Sequence, residues 1–217
     1  MDTDAARVNM LKQQLRTCSV LDDDLLTLLH KTPRENFVSS KYRRVAFADL
    51  EVPIGHDQTM MFPSVEARML AALAIQPSDK ILEIGTGSGY VTALLAQMGQ
   101  HVYTVELFKD LQEIAEKRLT ELAVNNVTYQ VGNGAEGWEK QQPYDVICIT
   151  GSMPKLPLQF KHQLKVGGRL FVILGTAPAM EAILIARNSD NEWHQQHLFE
   201  TDLSPLLELP THKKFEF

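Results

Sequence analysis

The stretch Ile81-Leu82-Glu83-Ile84-Gly85-Thr86-Gly87-Ser88-Gly89-Tyr90 constrains this chain more than any other. A short apolar run ends in three glycines at alternate positions, and a helix-like segment follows. Glycine has no Cβ and tolerates positive φ, so a strand-to-helix turn of this kind lets the backbone come very close to a ligand. The acid Glu83 stands two residues before the first glycine. A second acid, Glu106, ends the next apolar run, roughly the 20 residues on at which a ribose-binding carboxylate is expected. A dinucleotide site has the spacing G-x-G-x-x-G. Here the spacing is G-x-G-x-G, so the third glycine comes one position too early for the helix–strand packing of that fingerprint.

From residue 80 the pattern alternates between strand and helix. Strands are predicted at 80–84, 101–105, 127–131, 144–150 and 169–174, and helices at 89–98, 108–123 and 156–164. Runs such as Val146-Ile147-Cys148-Ile149 suit a parallel sheet covered on both faces. Near the C-terminus, 182–187 and 193–203 flank the polar cluster Ser189-Asp190-Asn191 and predict an appended hairpin. Upstream, Val8, Leu11 and Leu15 fall near one face of a helix over 5–16, and residues 22–31 predict a second helix that ends at Pro33. Loops and short pieces follow to residue 63, and then a helix over 64–73 with Ser64 as its N-cap. The predicted fold is α/β: a doubly wound, mostly parallel seven-stranded sheet of the Rossmann-like type, with an N-terminal helical cap and a C-terminal β-hairpin. Residues 1–63 form the cap and 64–217 the unit bearing the glycine loop, together one compact body.

A chain of 217 residues buries a large core. Its net charge of −6 argues against a nucleic-acid footprint, and the cluster Lys41-Tyr42-Arg43-Arg44 reads as a solvated patch. Cys18 and Cys148 give neither a disulfide framework nor zinc spacing, so no metal is expected. The acidic Met-Asp-Thr-Asp start lacks the apolar region of a secretory signal, and no run reaches the length of a membrane span; the expected compartment is the cytoplasm.

The E-x-G-x-G-x-G form with a downstream acid resembles the S-adenosylmethionine (SAM) site of class I methyltransferases. Further motifs narrow the resemblance. Gln14-Leu15-Arg16, Thr32-Pro33-Arg34-Glu35-Asn36-Phe37-Val38-Ser39 and Ile54-Gly55-His56-Asp57-Gln58-Thr59-Met60-Met61-Phe62-Pro63 follow, in order and spacing, the Q-L-R, V-P-R-E-x-F-V-P and I-G-x-G-Q-T-I-S-x-P segments of protein-L-isoaspartate O-methyltransferases. Leu203-Ser204-Pro205-Leu206 loosely resembles that family's closing F-V-P-L. The resemblance implies a SAM-dependent carboxyl methyltransferase that repairs isoaspartyl proteins. It implies a cofactor site at Glu83, Gly85, Thr86, Gly87, Ser88, Gly89, Glu106, Leu107, Asn133, Gly134 and Thr150. Glu106 would accept the ribose hydroxyls. Asn133 would either meet the adenine edge or simply shape an Asn-Gly turn. Glu83 would bond the glycine-loop amides or the methionine amine.

The acceptor would meet the methyl group near Thr59, Met61 and Ser152. Met61 stands where the family carries a substrate-contacting serine, Asp57 replaces a glycine, and Gly132-Asn133-Gly134 replaces Gly-Asp-Gly. A carboxylate nucleophile is already ionised near pH 7, so its methylation needs positioning rather than a base. The run Met60-Met61-Phe62 puts an apolar wall where that carboxylate should be received. The expected partner is therefore an isoaspartyl protein or peptide. The alternatives are an apolar small acceptor, or SAM binding without turnover. His56 reads as a surface or capping residue, and Trp138 and Trp193 as packing residues.

Overall fold

The structure, a computed structural model, describes residues 3–209. The first two residues of the expected cap and residues 210–217 of the expected 64–217 unit lie outside the described residues.

The cap opens with α1 (Thr3–Asn9), which widens into a π turn over Met10–Leu15 and tightens over Arg16–Cys18. The extra residue per turn brings Met10, Leu11 and Leu15 to the core, where a regular helix would have presented Val8 with Leu11 and Leu15. Helix α2 (Asp23–Lys31) starts at Asp22, whose carboxylate accepts the Asp24 and Leu25 amides at 2.9 and 3.0 Å. Strands β1 (Val52–Gly55) and β2 (Gln58–Met60) pair as a small antiparallel hairpin inside the segment expected to be loops. Helix α3 (Pro63–Leu73) begins one residue before the expected cap, with Pro63 in the first turn. Ser64 is not the N-cap: its amide and hydroxyl both donate to Asp49, at 3.0 and 2.9 Å.

The remaining elements alternate as the sequence predicts. They are β3 (Lys80–Ile84), α4 (Tyr90–Met98), β4 (His101–Glu106), α5 (Lys109–Glu121), β5 (Val127–Val131), β6 (Tyr144–Met153), the short α6 (Leu158–Gln163), β7 (Leu164–Thr176), β8 (Ala179–Ser189) and β9 (Glu192–Thr201). The sheet order is β5-β4-β3-β6-β7-β8-β9, parallel from β5 to β7 and antiparallel through β8 and β9. Successive strands are added outward on one side from β3 and on the other from β6, and in such sheets ligands bind beyond the carboxyl ends of the strands at that switch point. Both faces are buried. Ile81, Val146 and Cys148 pack against the cap, α3 and α4, while Leu82, Ile84, Ile147 and Ile149 pack on the opposite side. Among the described residues no helix is long and apolar enough to cross a membrane, and no group of metal-binding side chains occurs.

Candidate functional site

The glycine loop leaves β3 at the switch point and turns directly into α4. Gly85 has φ +95°, and a Cβ there would press into the Thr150 hydroxyl. That hydroxyl donates to the carbonyls of Ile84 and Gly85 at 2.9 and 2.7 Å, so the end of β6 is clamped to the end of β3. Gly89 has φ +84°, and a Cβ there would stand 2.7 Å from Leu119 Cδ1 and 3.0 Å from Ala115 Cβ. Only glycine lets the start of α4 pack this closely on α5. At the end of β4, Glu106 Oε2 accepts the Gly87 amide at 2.8 Å and Oε1 accepts the Phe108 amide at 3.1 Å.

These turns bound a cleft with an empty volume of about 900 Å³. Its floor is formed by Gly85 to Ser88, Glu106 to Phe108, Gly132 to Ala135, and Thr150 with Gly151. Ile54 and Gln58 to Met61 cover it from the β1–β2 hairpin and the segment after it, and Glu66 and Tyr90 add to that wall. Leu203, Ser204, Leu206 and Leu207 close a further side, because the chain beyond β9 returns to lie parallel to Ser152. Among the described residues, the charged side chains lining the cleft are Glu66 and Glu106, with no lysine, arginine or histidine.

Most of the expected site residues meet here. Gly85, Thr86, Gly87, Ser88, Glu106, Leu107, Asn133, Gly134, Thr150, Thr59 and Met61 all line the cleft. Gly89 lies just behind it as a packing glycine. Two expectations need correction. Glu83 does not line the cleft and bonds no glycine-loop amide. Side chains alternate across a strand, so Glu83 points with Ile81 to the face under α4. There its Oε2 accepts the hydroxyls of Thr92 and Thr104 at 2.6 and 2.7 Å, and its buried Oε1 has no partner among the described residues. Burial pushes its pKa up to about 8, against the pull of those two hydroxyls. Ser152 is fully buried and does not face the acceptor space. Its hydroxyl donates to the Leu203 carbonyl at 2.7 Å, and its backbone pairs with Ser204 and Leu206. It anchors the returning C-terminal segment.

Three further side chains prove more engaged than the sequence implies. The Thr59 hydroxyl donates to Glu51 at 3.0 Å. Both ends of the Asn133 amide are occupied: Oδ1 accepts the Ala135 amide at 2.8 Å and Nδ2 donates to the Glu208 carbonyl at 3.0 Å, as an Asx turn would have it. His56, at the tip of the β1–β2 hairpin, stacks on Phe108 with centroids 3.9 Å apart and pairs with Asp110 at 2.8 Å. The hairpin therefore reaches across to the start of α5. That hydrogen bond holds the Asp110 carboxyl below its usual range. Neither Trp138 nor Trp193 lines the cleft.

The sequence reading missed Ile54, Glu66, Phe108, Leu111 and Leu207 as cleft residues. Phe108 and Leu111 had a usable signal, since they follow Glu106 at the start of a helix. Ile54 had none beyond its place in a motif.

A site of this kind suits a nucleoside with a positive centre. Bare backbone meets the cleft at Gly85 and Gly87, and one carboxylate, Glu106, stands at the end of β4. Ile84, Val105, Phe108 and Leu111 supply apolar surface. Comparison with known proteins agrees. The family model described as protein-L-isoaspartate(D-aspartate) O-methyltransferase matches residues 6–209. A protein-L-isoaspartate O-methyltransferase of Gloeobacter violaceus is 39% identical over 197 residues, covering 91% of this chain and 96% of that one. One from Protochlamydia amoebophila is 37% identical over 199 residues, covering 91% and 95%. Among solved structures, a protein-L-isoaspartate O-methyltransferase superposes with a TM-score of 0.80 at 26% identity, over 92% of this chain and 65% of the other. A Plasmodium falciparum protein solved with S-adenosyl-L-homocysteine has the same fold, with a TM-score of 0.78 at 18% identity over 95% and 98%.

Proposed function

The chain belongs to the protein-L-isoaspartate(D-aspartate) O-methyltransferase family, and we propose that it methylates the free carboxylate of L-isoaspartyl residues in damaged proteins. The cofactor, S-adenosylmethionine, supplies an electrophilic methyl group on a sulfonium sulfur. The residues present fit it. Gly85 and Gly87 bring bare backbone to the cleft, Glu106 lines it where its carboxylate can accept the ribose hydroxyls, and Phe108 and Leu111 offer apolar surface to the base. The Glu106 carboxylate favours a cation over an anion, whereas Glu66 is paired with Arg34.

The chain's own contribution to the reaction is positioning. An isoaspartyl carboxylate is ionised at neutral pH and needs no proton removed. Holding it in line with the methyl group accounts for most of the rate such a site can supply, on the order of 7–11 kcal/mol of the barrier at best. Thr59 and Gln58 line the cleft, with the Thr59 hydroxyl directed to Glu51 and the Gln58 amide to the His56 carbonyl. The observation that carries the reading is the match of residues 6–209, nearly all of the cap included, to the family. The β1–β2 hairpin and the returning Leu203–Leu207 segment then complete the acceptor wall. Incubation with an isoaspartyl peptide and labelled SAM should yield a base-labile methyl ester. Absence of turnover beside a working control enzyme would refute the assignment.

One observation favours a second reading, a neutral and more apolar acceptor. Met60 and Met61 line the cleft, and among the described residues no basic side chain lines it to receive a carboxylate. Methyl transfer to a lipophilic small acceptor, with none to the peptide, would select that reading. Binding of SAM without transfer to either acceptor would mark a protein that has lost turnover.

A further inference from the structure

Arg34 is 1% exposed and does not itself line the cleft, yet it holds residues that do. Its Nη2 donates to the Met61 carbonyl at 2.8 Å, its Nη1 pairs with Glu66 Oε2, and its guanidinium lies 5.0 Å from the centroid of the Tyr90 ring. Its Nε donates to the Ala46 carbonyl at 3.0 Å. Met61, Glu66 and Tyr90 all line the cleft, and they come from three separate places: the link between β2 and α3, α3 itself, and the first residue of α4 after the glycine loop. Ala46 belongs to the cap. One side chain thus ties the acceptor wall, the cap and the cofactor loop together.

We propose that Arg34 is a positioning residue for methyl transfer, setting the Met61 wall against the glycine loop through its carbonyl bond to Met61 and its contact with Tyr90. The proposal rests on the reading of the cleft as a methyl-transfer site. A guanidinium is suited to this role because its donors form a rigid planar fork that serves several acceptors at once, whereas an ammonium on a flexible stem serves them poorly. Stability alone is a weak reason for the arrangement. A buried ion pair replaced by apolar residues of similar volume is often as stable or more so. What apolar replacements cannot supply is the directed bond to the Met61 carbonyl, and reactions that depend on alignment lose about a hundredfold in rate for a displacement near 1 Å.

Two variants test this. Arg34→Lys keeps a charge opposite Glu66 but cannot hold Ala46, Met61 and Tyr90 together. The double variant Arg34→Met with Glu66→Met removes the pair and fills its volume, which guards against loss of fold in the first. Each folded variant should bind S-adenosylhomocysteine within about threefold of wild type by calorimetry, while kcat on an isoaspartyl peptide falls about ten- to a hundredfold and KM for the peptide changes less. Turnover near the wild-type rate in a folded variant would overturn the proposal, as would a fall matched by equal loss of cofactor binding. A third readout needs no acceptor: the labelled methyl resonance of Met61 in the S-adenosylhomocysteine complex should shift or broaden in Arg34→Lys. A wild-type protein inactive on the peptide condemns the isoaspartyl assignment, whereas an unmoved Met61 resonance condemns the role given to Arg34.

Discussion

The Gly87 amide donates to Glu106 Oε2 at 2.8 Å, so one carboxylate joins the glycine loop after β3 to the end of β4. Its other oxygen accepts the Phe108 amide, which fixes the start of the chain into α5. Glu106 thus shapes the loop and lines the cleft, where the proposed function gives it the ribose hydroxyls. Glu106→Gln keeps a carbonyl acceptor for one of the two amides but loses the charge. The expected result is weaker binding of S-adenosylhomocysteine by about ten- to a hundredfold, since a hydrogen bond to a charged group contributes roughly 1.5–3 kcal/mol. The melting temperature should fall by about 2–10 °C, because the Gln amide nitrogen meets a backbone N–H donor and leaves it unpaired. Calorimetry decides, and an unchanged affinity would remove Glu106 from the nucleoside site.

Glycines of this chain differ in what they permit, and the difference is measurable. Gly167 has φ +82° with nothing within 4 Å of a built Cβ, so Gly167→Ala should cost only backbone strain, about 1–2 kcal/mol. Gly89 has nearly the same φ but faces Leu119 and Ala115. Gly89→Ala adds overpacking between α4 and α5 and should destabilise by about 2–4 kcal/mol in urea unfolding. Equal costs for the two variants would mean that close packing of α4 on α5 does not need the glycine.

Local pattern carried the fold and half of the site. The apolar runs of β3, β4 and β6 and the glycines after β3 are contiguous signals, and the switch point follows from the order of strands and helices. Even the orientation of Glu83 was there to be read, because two-residue alternation groups it with Ile81 rather than with the loop ahead. The β1–β2 hairpin was not legible. Its turn uses His56 and Asp57 at φ +51° and +55°, a conformation usually signalled by glycine or asparagine. Contacts between distant segments were equally hidden. Ser152 reads as a free hydroxyl at a strand end until Leu203 is seen beside it, and nothing near Arg34 in sequence announces Glu66, 32 residues on.

Met61, which the motif resemblance sets at the position of the family's serine, lies 3% exposed and lines the cleft. Met61→Ser would restore a hydroxyl donor to the acceptor wall. Removing the buried thioether should cost about 2–4 kcal/mol of stability, the range for large-to-small changes in a core. If the isoaspartyl assignment holds, turnover of the peptide should rise on the order of tenfold, through one hydrogen bond to its carboxylate. Steady-state kinetics below the variant's melting transition test this. Reduced peptide turnover, with the fold intact by circular dichroism, would show that the methionine suits the native acceptor better than a hydroxyl does.

Glu83 makes stability depend on pH in an unusual direction. Burial holds its carboxyl pKa at about 8, so the folded chain keeps a proton that the unfolded chain releases near the ordinary carboxylate pKa, about 4.3. Where the native state binds more protons, the free energy of unfolding falls as pH rises. The contribution is therefore complete below about pH 4 and declines between there and about pH 8, at up to ~1.4 kcal/mol per pH unit for one proton. Glu83→Gln is neutral throughout and can still accept the Thr92 and Thr104 hydroxyls. Urea unfolding at intervals from pH 5 to 8 should show the variant losing less stability than wild type over that span, with the gap widening steadily. Parallel curves for the two proteins would show that Glu83 is ionised in the native state, with its charge stabilised beneath α4 despite the unpartnered oxygen.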